Sequence, residues 1–231
     1  MLIHNDYRQR RNGGPRPTLT ALQALVGSSA RQTAAFVATL KAARLVTVEA
    51  VPEDARVRCL RAAPPLVAEI GKSARLFVAA MDRLARRAPG RAAALDDPDR
   101  LGALIYRSGA HILQHGMLTA PFQRILSLTE RDCGYPLLAA VMGAHYAATV
   151  PDAPAALPLS LRALADRLGV SRAHVGNLLQ EAEADGWFRT EERRLVQLDP
   201  TLVDEFEHWA ACQMVFYDDL AAEICAEAAG P

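Results

Sequence analysis

The chain has 231 residues, enough for one large or two small domains with cores of their own. Hydrophobic residues make up 51%, and the formal net charge is zero, which suits a folded helical protein and advertises no polyanionic partner for the chain as a whole. The longest apolar run, 136–150, is shorter than a membrane span and contains His145, so a membrane-spanning segment is not expected. Charge is nonetheless unevenly placed. Arg and Lys outnumber Asp and Glu over 1–62, whereas 199–231 carries acids only, so the front is the part suited to phosphates.

Residues 1–17 hold Arg8, Arg10, Arg11 and Arg16 around Asn12-Gly13-Gly14-Pro15. Low apolarity and the glycines predict a basic flexible arm. Residues 18–46 show apolar positions at helical spacing, broken at Gly27 and resumed after Ser29. Strands are expected at 45–50 and 56–61. A helix follows over 66–87, ended by Pro89-Gly90. Asp96-Asp97-Pro98-Asp99 opens another, running to Gly116. A short helix is expected at 121–128, and Thr129 can cap one containing 132–147. Pro136 falls inside that pattern and should begin a separate turn or kink it. Residues 151–158 read as a linker.

The most informative stretch is 159–188, LSLRALADRLGVSRAHVGNLLQEAEADGWF. Leu161, Leu164, Ala165 and Leu168 make one amphipathic helix. Gly169 suits a positive-φ turn and Ser171 an N-cap. Val175, Leu178, Leu179 and Ala182 form the inward stripe of a second helix. Strands at 187–190 and 195–198 flank the charged tip 191–194. Helix, turn, helix and hairpin make a winged helix. A final helix spans 201–227.

The earlier segment aligns on this one without gaps. Leu19 falls on Leu161, Leu22 on Leu164, Gly27 on Gly169, Ser29 on Ser171, Val37 on Leu179, and Leu45-Val46 on Trp187-Phe188. Pro65-Leu66-Val67 resembles Thr201-Leu202-Val203. The same unit therefore occurs twice. The expected fold is mainly α, with two winged-helix units joined by a helical middle segment. Its parts are 1–17 arm, 18–65 N-terminal winged helix, 66–150 helical linker or dimerisation region, 151–158 linker, 159–200 C-terminal winged helix and 201–231 C-terminal helix.

LADRLGVSRAHVGNLLQEAEADGWF resembles the DNA-binding helices of the Crp/Fnr regulators, closest in SRxxVGxLL, and more loosely those of the MarR family. The resemblance implies a transcription regulator that binds duplex DNA. It places Arg172, Ala173 and Asn177 at base-facing positions, and Ser171 and His174 at phosphates. Gln180 is a further outward residue, and Arg189, Arg193 and Arg194 would be wing contacts to the backbone. Ala173 offers only a methyl contact, while Asn177 suits adenine. In the first copy Ala30, Ala35 and Ala38 align with Arg172, Asn177 and Gln180, leaving only Arg31, Gln32 and Thr33 near the start of its second helix. The resemblance also implies a homodimer, and the apolar stripe Trp209, Met214, Tyr217, Leu220, Ile224 calls for a partner or an internal clasp against 66–87. A small apolar effector is a candidate partner, with Tyr106, Met117, Phe122, Tyr135, Met142 and Tyr146 as lining, although core packing explains these residues too. The alternative is a winged-helix protein-interaction or replication-initiator module, favoured if Glu181, Glu183 and Asp185 cluster on the outer face.

Catalytic chemistry finds little support. There is no P-loop, no G-x-G-x-x-G after a strand and no G-x-S-x-G. His111 and His115 have a metal-ligand spacing, with His145, Glu130, Asp132 or Cys133 as further donors, but packing is the simpler reading. No enzyme activity, metal or cofactor is expected. Four cysteines, Cys59, Cys133, Cys212 and Cys225, without a C-x-x-C pair or a signal peptide read as reduced and buried, in a cytoplasmic protein.

Overall fold

A computed structural model describes residues 1–51, 53–155, 158–192 and 194–229. It is mainly helical, with two separate two-stranded antiparallel sheets. The chain divides into two compact units, one formed by Met1–Met117 and the chain from Cys212 onward, the other by Leu118–Ala211. No helix among the described residues is long and apolar enough to cross a membrane.

The first unit begins with a helix. Residues 1–17 are not a flexible arm, because α1 (Leu2–Asn12) is a helix closed by Gly13 at φ 61°. Its polar residues conceal burial. Asp6 accepts the Ala62 N–H at 3.0 Å and Arg61 Nη1 at 2.9 Å, and His4 bonds the Tyr106 carbonyl at 3.0 Å. Arg10, Arg11 and Arg16 pair with Asp6, Asp99 and Glu53. Next come α2 (Leu19–Leu25) and α3 (Ala30–Ala42). Thr18 Oγ1 caps the first through the Ala21 N–H, and Ser29 with Gln32 forms a reciprocal capping box on the second. β1 (Val46–Val51) pairs with β2 (Asp54–Ala62), and α4 (Pro64–Leu84) begins on prolines. A short α5 (Arg91–Ala94) and α6 (Pro98–His115) follow. One core joins Leu22, Val37, Val46, Leu60, Leu66, Val78, Leu95 and Leu104 to Ala221 and Ile224 of the final helix, α11 (Pro200–Ala229).

The acids of α11 are not simply a solvated face. Asp218 is 4% exposed and receives Arg87 at 2.5 and 2.9 Å and Arg91 at 2.7 Å. Beside it Asp82 accepts the Arg91 and Ala92 N–H groups at the start of α5. Glu223 and Glu227 hold Arg107. The apolar stripe of α11 is likewise used within the chain. Tyr217 stacks on Phe77 of α4 at 5.9 Å, and Ile224 and Trp209 are buried. It therefore gives no argument for a homodimer.

In the second unit α7 (Gln123–Thr129) has Glu205 at its start, accepting the Arg124 and Ile125 N–H groups. α8 (Gly134–Thr149) follows Cys133, whose φ is 62°. Pro136 neither breaks nor kinks the pattern. It lies in the first turn of α8, where its missing N–H has no helical partner to lose. α9 (Leu161–Leu168) and α10 (Arg172–Ala184) lead into the hairpin β3 (Phe188–Glu191) and β4 (Arg194–Leu198). Their core contains Leu137, Val141, Leu159, Leu164, Val175, Leu178, Leu179 and Phe188.

Both units thus contain helix, helix, hairpin, helix in that order, and the details repeat. Thr18 and Ser160 cap the first helices, and Ser29 and Ser171 the second. Arg44 and Gly186, at aligned positions, both take positive φ, 58° and 73°. The next N–H, of Leu45 or Trp187, returns to Leu40 or Ala182 at 2.9 and 3.0 Å. Each hairpin is closed by a bond from Ala63 to Leu45, or from Asp199 to Trp187. The copies differ at their turns. Gly169 has φ 68°, whereas Gly27 does not take a positive φ.

All four cysteines are free, but only Cys59 is buried, and Cys212 is exposed.

Candidate nucleic-acid interface

The burial of α10 separates its side chains cleanly. Val175, Leu178, Leu179 and Ala182 face the core. Ser171, Arg172, Ala173, Asn177 and Gln180 are exposed. This split follows from helical periodicity and from the Ser171 cap, whose Oγ accepts the His174 N–H at 3.1 Å and sets where the helix begins. Arg172, Asn177 and Gln180 make no hydrogen bond or ion pair among the described residues, so their donors and acceptors face solvent. Ser171 uses a lone pair in capping and retains its hydroxyl proton for an outside acceptor.

The other sequence-derived site residues fare differently. His174 is half-buried, and its Nε2 bonds the Asp132 carbonyl at 2.9 Å, which turns it toward its own unit rather than toward a phosphate. Arg189 is exposed and paired with Glu191 at 3.1 Å. Arg193 lies outside the described residues, and Arg194 begins β4 opposite Glu191. In the first copy Arg31 is exposed and without an ion pair among the described residues. Gln32 spends its side-chain carbonyl on the Ser29 N–H and hydroxyl. Thr33 is not an outward residue. It is 5% exposed, and its hydroxyl bonds Ser28 Oγ and the Ser29 carbonyl. Its alignment with buried Val175 carried that signal.

An open cleft of about 660 Å³ lies beside Arg172, lined by Ser160, Leu161, Arg162, Ala163 and Asp166. Arg162 was missed in the sequence. It stands in the first turn of α9, exposed, where the helix dipole favours an anion. Its 3.7 Å pairing with exposed Asp166 is weak enough for a phosphate to replace.

The acids of α10 are partly spoken for. Glu181 pairs with Arg131, and Glu183 accepts the Thr190 N–H and hydroxyl at 2.8 and 3.0 Å. Of the three that would favour a protein partner, only exposed Asp185 lacks such a contact among the described residues. Around the turn before α8, burial pushes the Cys133 thiol up, and the neighbouring Asp132 carboxylate adds to this.

The aromatic and Met residues considered for an effector are engaged separately. Tyr106 stacks on His4 and Tyr7, Tyr135 meets Trp209 edge-on, Tyr146 bonds Glu207, Met142 is in the core, and Met117 is exposed. His111 and His115 lie 4.7 Å apart by ring centroid, and His111 packs on Phe216. They do not belong to a cluster of three metal donors among the described residues. No family model, curated protein or solved structure matches the chain.

Proposed function

We propose that the chain is a sequence-specific duplex-DNA-binding transcription regulator whose second helix–helix–hairpin unit is a winged helix that reads through α10. The observation that carries this is the outer face of α10, where Arg172, Asn177 and Gln180 are exposed and unengaged among the described residues. Arg suits guanine and Asn suits adenine through paired contacts in the major groove. Arg162 and the start of α9 supply a place for a backbone phosphate. The Glu181–Arg131 ion pair offsets part of the negative charge that α10 would present to phosphates.

The first copy has the role of a weaker, sequence-indifferent contact. Ala30, Ala35 and Ala38 replace the three polar residues, and Thr33 is buried, so Arg31 is its one outward cation near the start of α3.

The test is selection of binding sites from random duplexes with the purified chain, followed by salt-titrated binding of variants. Arg172→Ala and Asn177→Ala should each cost about 1–3 kcal/mol on the selected site and relax its sequence preference. Arg31→Ala should weaken binding evenly across sequences and lower the salt slope by about one unit at most. A selection that enriches no sequence overturns the reading. A changed preference in Arg31→Ala alone moves the reading head to the first copy.

A further inference from the structure

Asp132 and Cys133 precede α8, and His174 lies in the first turn of α10. A carboxylate oxygen, the Cys133 sulfur and an imidazole nitrogen all lie within 4.8 Å of one another. We propose that these three residues bind one divalent transition-metal ion of the zinc class, pinning the start of α10 to the turn before α8. The inference does not depend on DNA binding.

Donor chemistry selects the ion. One thiolate, one imidazole and one carboxylate suit Zn²⁺ or Co²⁺ and not the oxygen-seeking Ca²⁺ or Mg²⁺. Ligands of a tetrahedral ion at about 2.0–2.3 Å stand roughly 3.5 Å apart, so the cluster must close by about 1 Å. Asp132 is exposed and can supply most of that by side-chain rotation. Three protein donors leave a fourth position for water or an outside ligand.

The surroundings are ordered as a metal site needs. His174 Nε2 donates to the Asp132 carbonyl, which holds the ring beside Asp132 and Cys133; an ion takes Nδ1, or takes Nε2 in exchange for that bond. The Cys133 thiol donates toward Asp132 Oδ1 at 3.8 Å, so its hydrogen lies between two of the donors. On binding, the sulfur loses that proton to solvent and takes the metal in its place. The turn itself is fixed. Gly134 N–H bonds the Arg131 carbonyl, and a Cβ on Gly134 would strike the Leu128 carbonyl. Arg131 meets Glu181 of α10, so both ends of the cluster are held without an ion.

Titration of Co²⁺ into the reduced full-length chain, with no DNA present, tests this. A thiolate-to-cobalt charge-transfer band should appear and be bleached by Zn²⁺. Cys133→Ser should abolish the band, and Cys212→Ser and Cys225→Ser should retain it. His174→Ala and Asp132→Asn should each weaken Co²⁺ binding at least about 10-fold, the smallest loss usual even for a group that only orients a ligand, with unchanged circular dichroism. Absence of the band in the unaltered chain, its persistence in Cys133→Ser, or unchanged affinity in His174→Ala overturns the proposal.

Discussion

Asp218→Ala is expected to destabilise the first unit by about 3 kcal/mol, the low end of the range for breaking a buried ion pair. The carboxylate is 4% exposed and is the shared partner of Arg87 and Arg91. Its removal leaves Arg87 with only Asp82, 3.3 Å away, and Arg91 without a carboxylate partner among the described residues. Their side chains remain 26% and 31% exposed, so water recovers part of the loss, which is why the low end applies. Asp218→Asn keeps an acceptor without the charge and should cost less. Acid should reproduce the effect. Burial alone would raise the Asp218 pKa, but hydrogen bonds from Arg87 and Arg91, with their charge, outweigh it and hold the group below its ordinary 3.8. A depressed carboxyl contributes its stability fully above the unfolded value and loses it as pH falls through the folded one. Urea unfolding of the native chain and Asp218→Ala should therefore differ most at neutral pH and converge well below the ordinary carboxyl value. Equal midpoints at neutral pH would show that the cluster contributes nothing.

Features with local causes were legible in the sequence. Ser29, Ser171, Pro98 and the apolar spacing of α9 and α10 act within one or two turns, and the observed helices begin at those residues. Features made by distant partners were not. Asp6 and Arg61 lie far apart in the chain, so α1 read as a polar arm although it is anchored by a buried carboxylate. The pairing of the α11 acids was not legible because their arginines, 87, 91 and 107, lie far away in the chain. The outer face of α10 was readable from periodicity alone. That His174 belongs partly to a different surface was not, because Asp132 carries no local sign of where α10 will lie. Thr33 shows the opposite error, in which side-chain polarity was weighed above position on the helix.

Leu178→Ala should cost about 2–4 kcal/mol, whereas Phe36→Ala, at the aligned position of the first copy, should change stability by no more than about 0.5 kcal/mol. The copies share a backbone pattern but not a cover. Leu178 is 6% exposed and lies in one buried cluster with Leu137 and Val141 of α8. Truncating it removes apolar contacts and leaves a cavity that packed neighbours cannot fully close. Phe36 is 64% exposed, on the rim of an open cleft lined by Met1, Leu22, Val26 and Val37. In the first unit α1 packs chiefly on α6 and β2, and only its start, Met1 and Leu2, borders the cleft beside Phe36. Truncating Phe36 therefore exchanges one solvated surface for a smaller one. Urea unfolding of the two variants, compared with the native chain, measures both effects. A Phe36→Ala loss as large as that of Leu178→Ala would mean that α3 is covered in solution, and that the two copies are packed alike.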